Sequence, residues 1–201
     1  MIGLLPLFSS NVYHFILEED TSELDPRGFE FMSHGKNTFA SSTQNIRVLE
    51  EYPTIKKLIL NKFNNFAKDT LGYENKFKLS TSWFTRLEKG GYADFHSHRN
   101  CFYSGIYYFG NSYPKSSGRL CFRSNIQHYS DYHIKSNKKD LLSATSWSIR
   151  PERKKMILFP SYLEHAILEH KENNIRYSLA FNFYPVGEYG SGDSTYNTDW
   201  T

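Results

Sequence analysis

Three histidines in two well-separated segments could together bind a metal ion. His96 and His98 stand two residues apart in an extended segment, and strand side chains two residues apart point to the same side. His165 lies far downstream in a second β-like segment, and Arg176 and Ser178 lie in a third, starting eleven residues after it. Histidines in this order can form a non-haem iron site. The arginine can hold an anionic co-substrate beside it, because a guanidinium binds a carboxylate through two parallel hydrogen bonds.

Sequence motifs around these residues resemble those of a known enzyme group. They read HSHRN at 96–100 with SGIYYF at 104–109, FPSYLEH at 159–165 and RYSLAFN at 176–182. With PLFSSNVY at 6–13, they make the chain similar to the 2-oxoglutarate- and Fe(II)-dependent oxygenase superfamily. More narrowly, they resemble the small 2OG-Fe(II) oxygenase family found in marine phages and bacteria. The likeness covers most of the chain, and three linked motifs in order are far more specific than any one of them.

The resemblance implies a fold and a reaction. The fold would be mainly β, a double-stranded β-helix (a cupin-like jelly roll) with one or two supporting N-terminal helices. The protein would be a 2-oxoglutarate-dependent non-haem iron dioxygenase, with Fe(II) and 2-oxoglutarate as cofactors, that hydroxylates a C–H bond and releases succinate and CO2. Its partners would be O2 and an unidentified substrate: a peptide, a nucleobase, a sugar or a small metabolite. His96, His165 and Arg176 would be its catalytic residues.

The third metal ligand departs from the usual pattern of this superfamily, in which His-x-Asp precedes a distant histidine. Position 98 holds a histidine instead, so three alternatives stay open. His98 can complete a metal-binding set with His96 and His165, and strand alternation favours it. Asp94 lies on the same strand face and could replace it, or water could fill the position. Glu164 is not expected to be a ligand, because the neighbour of His165 faces away.

The resemblance assigns the far C5 carboxylate of 2-oxoglutarate to Arg176, with Ser178 adding a hydroxyl from the same strand face. Two weaker assignments follow from spacing within the family pattern. Thr85 precedes His96 by eleven residues, and Tyr107 follows it by eleven. The residues expected to bind the co-substrate are therefore Arg176, Ser178, Thr85 and Tyr107.

One helix and a series of strands must position these residues. Apolar residues at helical spacing predict a helix within 47–71, with Pro53 in its first turn and Gly72 at its end. Residues 7–17 alternate as a first strand, whereas the polar segment 19–46 predicts a loop around short elements. From Lys76 onward, turn residues separate further predicted strands. These strands are 77–88, 102–109, 118–123, 145–150, 154–159, 163–167 and 175–184.

We expect a single 2OG-Fe(II) oxygenase domain over residues 1–201. It would divide into an N-terminal strand and helical support (1–75), a double-stranded β-helix core (76–187) and a tail (188–201). The long polar segment 125–143 is expected to form part of a substrate entrance. The tail is rich in small polar residues and is expected either to be poorly ordered or to fold over the site.

Composition argues against several other classes of protein. The net charge of +3, carried by dispersed basic residues, gives no indication of nucleic-acid binding. No run of residues approaches the roughly 18 apolar residues of a membrane-spanning helix, and the N-terminus lacks the features of a signal peptide. Cys101 and Cys121 cannot form a disulfide framework. We expect a cytoplasmic protein, in the host cytoplasm if a phage encodes it, with no membrane partner; a homodimer stays open.

Two other functions also stay open. A cupin-type metal enzyme that does not use 2-oxoglutarate would leave Arg176 and Ser178 without a role. A non-catalytic jelly-roll binding protein, or a virion-associated one, could keep the motifs by descent, because a fold alone does not determine a function.

Overall fold

The computed structural model describes residues 10–34, 37–124 and 144–198. The predicted substrate-entrance segment 125–143 therefore lies outside the described residues. Thirteen strands and one α-helix make up most of the described structure. The strands are β1 Tyr13–Ile16, β2 Phe31–His34, β3 Asn37–Thr43, β4 Lys76–Leu87, β5 Ala93–His96, β6 Tyr103–Tyr107, β7 Leu120–Arg123, β8 Ser146–Ile149, β9 Lys155–Pro160, β10 His165–Ile167, β11 Arg176–Val186, β12 Glu188–Tyr189 and β13 Tyr196–Asn197.

The helix α1 covers Pro53–Asp69, as the spacing of apolar residues predicts. Proline suits the first turn, because the amide hydrogen that it lacks would have no partner within the helix there. One face buries Ile55, Ile59, Phe63 and Ala67. Since residues four apart share a helix face, this row can pack against a sheet along the length of the helix.

Two antiparallel sheets hold the rest of the fold. The large sheet has the strand order β1-β9-β6-β11-β4-β3-β2, and the small sheet has the order β5-β10-β7-β8. Two facing sheets whose neighbouring strands are distant in sequence form a jelly roll. The predicted mainly β fold is therefore confirmed.

The two faces of the large sheet contact different parts of the fold. Its outer face packs on α1, where the ring of Phe63 stacks on Phe183 of β11 at a centroid distance of 3.8 Å. Gly105 of β6 permits close packing on this side, because a Cβ atom there would lie 2.2 Å from the ring of Phe181. The inner face looks toward the small sheet. Side chains of β4, β6 and β11 that alternate with the helix-packing ones therefore line the space between the sheets.

The structure differs from the sequence prediction in two places. β2 and β3 lie in the segment 19–46, which was predicted as a loop, and they extend the large sheet beyond β4 through pairs such as Ala40 with Leu87. The burial pattern of β3 does not alternate strictly, so no period-two signal marks it. In the tail, β12 and β13 pair as a small hairpin. The single-domain division of the chain stays a prediction.

In the described part of the chain, no helix is long and apolar enough to cross a membrane.

Candidate metal and co-substrate site

Strand pairing brings His96 and His165 together. His96 ends β5, His165 begins β10, and the two residues stand directly opposite each other in the antiparallel register. Their ring centroids are 4.4 Å apart. His165 is buried, and its ring lies against Phe159 at 4.7 Å. The pairing of the small sheet therefore places one imidazole from each of two distant motifs on the same spot.

His98 reaches this spot although β5 has already ended. Its backbone amide donates to the carbonyl of Ser161, which fixes the chain beyond the strand. Its ring centroid lies 5.2 Å from that of His96 and 5.0 Å from that of His165. The ligand atoms of the three histidines all lie within 4.8 Å of one another.

Hydrogen bonds fix which nitrogen of each ring is free. The Nδ1 atom of His96 lies 2.8 Å from the carbonyl oxygen of Asp94, and that of His165 lies 3.0 Å from the carbonyl oxygen of Leu163. A carbonyl oxygen can only accept, so both Nδ1 atoms carry a hydrogen, and in the neutral form of each ring the lone pair lies on Nε2. In His98, Nδ1 lies 2.8 Å from Oδ1 of Asn182. Metal-bound histidines hold their second nitrogen in this manner.

Burial also favours the neutral, metal-binding form of two rings. Burial lowers the pKa of His165 to about 3. Burial likewise lowers the pKa of His98, although its hydrogen bond to Asn182 opposes the shift. Neutral imidazoles can donate a lone pair to a metal, whereas protonated ones cannot.

Neither Asp94 nor Glu164 belongs to the three-histidine cluster among the described residues. Asp94 lines the same pocket, but among the described residues it is not part of the histidine cluster. Glu164 pairs with Arg123 on the outer side, through a bond of 2.5 Å from Nε to Oε2. Glu164 therefore faces away from the site, as strand alternation predicts.

The guanidinium of Arg176 is buried and forms no hydrogen bond of ordinary geometry within the described residues. Arg176 begins β11, its exposed fraction is 2%, and its Nε, Nη1 and Nη2 atoms make no hydrogen bond to any described residue. A buried charge without a partner is costly, so such a side chain is expected to bind an anion. Ser178, two residues on, is also buried, and its hydroxyl lacks a partner within the described chain.

Thr85 lies beside these groups, as the sequence predicts. It stands opposite Ser178 in the pairing of β4 with β11, and it lines the pocket that also contains the three histidines. A second hydroxyl is thus available next to that of Ser178.

Tyr107 does not reach the pocket, and this prediction is corrected. Its side chain lies on the helix-packing face of β6, and its hydroxyl is 2.7 Å from that of Thr21. Because strand side chains alternate, the neighbouring Tyr108 takes the inner face. The guanidinium carbon of Arg176 lies 5.0 Å from the ring centroid of Tyr108. The spacing argument missed Tyr108 by one residue. Ile106 lines the pocket, and a residue two positions further along the strand shares its face, which would have pointed to Tyr108.

The hydroxyl of Tyr108 is a further unpartnered polar group at this end of the site. It is buried and makes no hydrogen bond of ordinary geometry to the residues that the structure describes. Burial raises the pKa of Tyr108, and the nearby guanidinium of Arg176 opposes that shift through its positive charge and as a hydrogen-bond donor to the phenol oxygen. The neutral hydroxyl can therefore donate a hydrogen bond to an anion held by Arg176.

A pocket of about 770 Å³ runs between the two sheets. Its inner walls are apolar and include Leu87, Leu120, Ile106 and Ile167. Its outer part contains Ser42 of β3, Trp83 of β4 and Asp94 of β5, with Ile46 beyond the end of β3 and Tyr92 just before β5. Pockets of this size hold ligands as large as a typical drug molecule.

The residues present fit both groups that the motifs imply. Three imidazoles whose ligand atoms lie within 4.8 Å of one another, each with Nδ1 bonded to an acceptor, suit a divalent first-row metal such as Fe(II). A buried, unpartnered guanidinium with hydroxyls beside it suits one carboxylate of 2-oxoglutarate.

Comparison with known folds agrees with this arrangement. HygX of Streptomyces hygroscopicus, solved with nickel, 2-oxoglutarate and hygromycin B, superposes with a TM-score of 0.62 at 12% identity, covering 88% of this chain and 83% of HygX. The α-ketoglutarate-dependent carbocyclase SnoK of nogalamycin biosynthesis gives a TM-score of 0.63 at 11% identity, with 92% and 84% covered. A 2OG-Fe(II) oxygenase-family oxidoreductase from Burkholderia pseudomallei gives 0.57 at 10%, with 79% and 73% covered. At these identities the likeness establishes the fold alone.

Sequence comparison identifies the family. No curated protein matches the chain. The model of the family described as "Putative 2OG-Fe(II) oxygenase" matches residues 81–182, just over half of the chain, and this span contains all three motifs. The chain belongs to this family, and is thus a 2-oxoglutarate-dependent non-haem iron oxygenase whose cofactors are Fe(II) and 2-oxoglutarate.

Proposed function

We propose that this enzyme hydroxylates a C–H bond of an organic substrate, with release of succinate and CO2. His96, His98 and His165 hold Fe(II) through their Nε2 atoms. Arg176, with Ser178 and Thr85, binds the C5 carboxylate of 2-oxoglutarate. Tyr108 also binds this carboxylate, whereas Tyr107 does not.

The unpartnered guanidinium of Arg176 carries the proposal. A metal enzyme that did not use 2-oxoglutarate would need no buried cation without a partner between its sheets. Arg176 and the histidines belong to the same inter-sheet space, because Thr85 and Leu87, which pair with Ser178 and Arg176, line the histidine pocket. This arrangement supports 2-oxoglutarate over the cupin-type alternative, and it argues against a purely structural jelly roll.

When bound, iron with 2-oxoglutarate supplies the activation of O2 for C–H oxidation. The chain supplies position and surroundings. The three histidines, whose ligand atoms lie within 4.8 Å of one another, would hold the metal, and Arg176 would bind the far carboxylate of the co-substrate. Leu87, Leu120 and Ile106 form a wall that excludes water between the two ends.

The outer part of the pocket is the proposed substrate site. Trp83 lies 5.6 Å from the ring of His98, centroid to centroid, and offers an aromatic surface next to the proposed metal position. Tyr92, Ile46 and Asp94 line the same part of the pocket. A pocket much larger than a small dicarboxylate supports a bulky organic substrate with apolar or aromatic surface.

Succinate formation tests this function directly. Oxygenases of this chemistry convert 2-oxoglutarate slowly without substrate, so the purified protein with Fe(II) and O2 should produce succinate. Leaving out Fe(II) or O2 should stop it, and His165→Ala should behave like the metal-free wild type. Loss of 2-oxoglutarate without succinate, or equal conversion by His165→Ala, would contradict the proposal.

A further inference from the structure

The three sequence motifs contain polar residues that the proposed function leaves without a role. Ser104 stands in the motif after His98, Ser161 in the motif before His165, and Asn182 at the end of the Arg176 motif. All three are buried, with exposed fractions of 1%, 1% and 8%. Buried polar groups need partners, so their contacts show what they are for.

These residues form one hydrogen-bonded network that ends on His98. Oδ1 of Asn182 lies 2.8 Å from Nδ1 of His98 and accepts a bond of 2.7 Å from the hydroxyl of Ser104. The hydroxyl of Ser104 is in turn 2.8 Å from that of Ser161. Each motif thus contributes one residue to the surroundings of a single imidazole.

The other end of the Asn182 amide also has a partner. Its Nδ2 donates to the hydroxyl of Thr81 over 2.9 Å, and Thr81 stands opposite Asn182 in the pairing of β4 with β11. With Nδ2 directed to Thr81, Oδ1 faces His98. Nδ1 of His98 then carries the hydrogen, and its Nε2 keeps the lone pair for a metal.

Asn182 does for His98 what backbone carbonyls do for the other two rings. His96 and His165 bond to carbonyls two residues before them in their own chain segments. His98 lies beyond the end of β5 and, within the described structure, its Nδ1 contacts side chains of other strands, Oδ1 of Asn182 at 2.8 Å and the hydroxyl of Ser104 at 3.0 Å. A carboxylate ligand at position 98 would carry no hydrogen to donate, so this acceptor is needed only because position 98 is a histidine.

We propose that Asn182 is a positioning residue of the metal centre, held by Thr81, Ser104 and Ser161, and that it fixes the tautomer and direction of His98. This inference rests on the proposed three-histidine metal site. Outer partners of metal-bound histidines typically change metal affinity by about 10- to 100-fold when they are removed.

Anaerobic titration with Co(II), followed through its visible ligand-field absorption, tests the proposal without turnover. Asn182→Leu removes the acceptor at similar volume, and we expect its Co(II) dissociation constant to rise about 10- to 100-fold with an altered absorption spectrum. Asn182→Asp keeps an acceptor and should stay within a few-fold of wild type. Asn64→Leu is the matched control, because Asn64 is a partly buried asparagine that bonds only to backbone at Leu60 and Phe77. It should leave Co(II) affinity and the spectrum unchanged.

A double-mutant cycle separates positioning from a loss of folding. In a His98→Ala background, Asn182→Leu should have no further effect on Co(II) affinity, because the ring that it orients is gone. An equal loss of affinity in both backgrounds, or wild-type affinity and spectrum in Asn182→Leu, would overturn the proposal. If Asn182→Leu does not fold, Ser104→Ala is measured in the same cycle, with a several-fold loss expected only when His98 is present. If the wild-type protein itself binds no Co(II), the proposed metal site fails instead.

Discussion

The two ends of the space between the sheets satisfy their polar groups in opposite ways. At the metal end, the Nδ1 atom of each of the three histidines has an acceptor within the protein. At the carboxylate end, the polar atoms of Arg176, Ser178 and Tyr108 have no partner among the described residues. His96 and His165 stand on strands of the small sheet, whereas Arg176 and Ser178 stand on a strand of the large sheet.

This difference shows which part of the site the protein completes alone. The metal end is arranged before any ligand binds, because its hydrogen bonds depend only on the chain. The carboxylate end stores an unfavourable buried charge that an anion relieves. Loss of a histidine should therefore abolish metal binding. Loss of Arg176 should weaken the binding of 2-oxoglutarate and raise the stability of the protein without ligands.

The largest expected effect is at the metal end. His165→Ala should abolish stoichiometric iron binding. Its affinity for Fe(II) should fall by more than about 100-fold, because losing a ligand costs more than losing a residue that only hydrogen-bonds to a ligand. Iron content after anaerobic reconstitution measures it. His14→Ala, at an exposed histidine of β1, should retain full iron content. Equal iron in both variants would show that the metal lies elsewhere.

A smaller effect is expected at the carboxylate end. Arg176→Met removes the buried positive charge of this end and should raise the 2-oxoglutarate requirement about 30-fold or more, since truncating one side of a buried charge pair costs about 2–5 kcal/mol. Iron binding should be unchanged. Arg119→Met, at an exposed arginine that bonds to the carbonyl of Ser148, is the control. Normal co-substrate affinity in Arg176→Met would assign the carboxylate to a different cation.

Neighbouring tyrosines provide a matched pair for the same end. Tyr108→Phe should raise the 2-oxoglutarate requirement about 10-fold, because a hydrogen bond to a charged group contributes about 1.5–3 kcal/mol. Tyr107→Phe should leave that requirement unchanged and lower the free energy of unfolding by about 1 kcal/mol, through loss of the bond to Thr21. Co-substrate titration and denaturant unfolding of both variants measure this. A raised 2-oxoglutarate requirement in Tyr107→Phe, with no change in Tyr108→Phe, would show that Tyr107 binds the co-substrate.

The smallest effect concerns the stability of the empty protein. Without metal or co-substrate, Arg176→Met should raise the free energy of unfolding by about 1 kcal/mol, since an apolar side chain replaces a buried charge without a partner. For a chain of this size, that corresponds to a melting temperature about 2–4 °C higher. Fe(II) with 2-oxoglutarate should stabilise the wild type more than the variant. A marked destabilisation of the empty variant would mean that the wild-type guanidinium already has a compensating partner.

The sequence predicted the parts of this site that depend on motif and strand alternation. Histidine spacing identified His96 and His165, and alternation directed Arg176 and Ser178 to one face. A different argument, the spacing of eleven residues from His96, chose Tyr107 rather than Tyr108. Which of these two adjacent residues faces the pocket depends on which face of β6 packs against α1, and tertiary packing determines that.

Other features could not be predicted because they depend on contacts between distant segments. His98 lies after the end of β5, so its position follows from its backbone bond to Ser161 rather than from alternation. The bond from His98 to Asn182 spans 84 residues of sequence. Similarly, β3 forms a strand through its pairing with β4, although its own residues do not alternate clearly.

Anaerobic titration with Fe(II) and 2-oxoglutarate tests the central claim most directly. Chelation of iron by the keto acid gives a weak visible charge-transfer band that neither component gives alone. We predict this band in the wild type at one iron and one 2-oxoglutarate per chain, its absence in His165→Ala, and its appearance in Arg176→Met only at much higher 2-oxoglutarate. A wild-type protein that binds iron but develops no band with 2-oxoglutarate would contradict the claim that both ligands share the pocket between the two sheets.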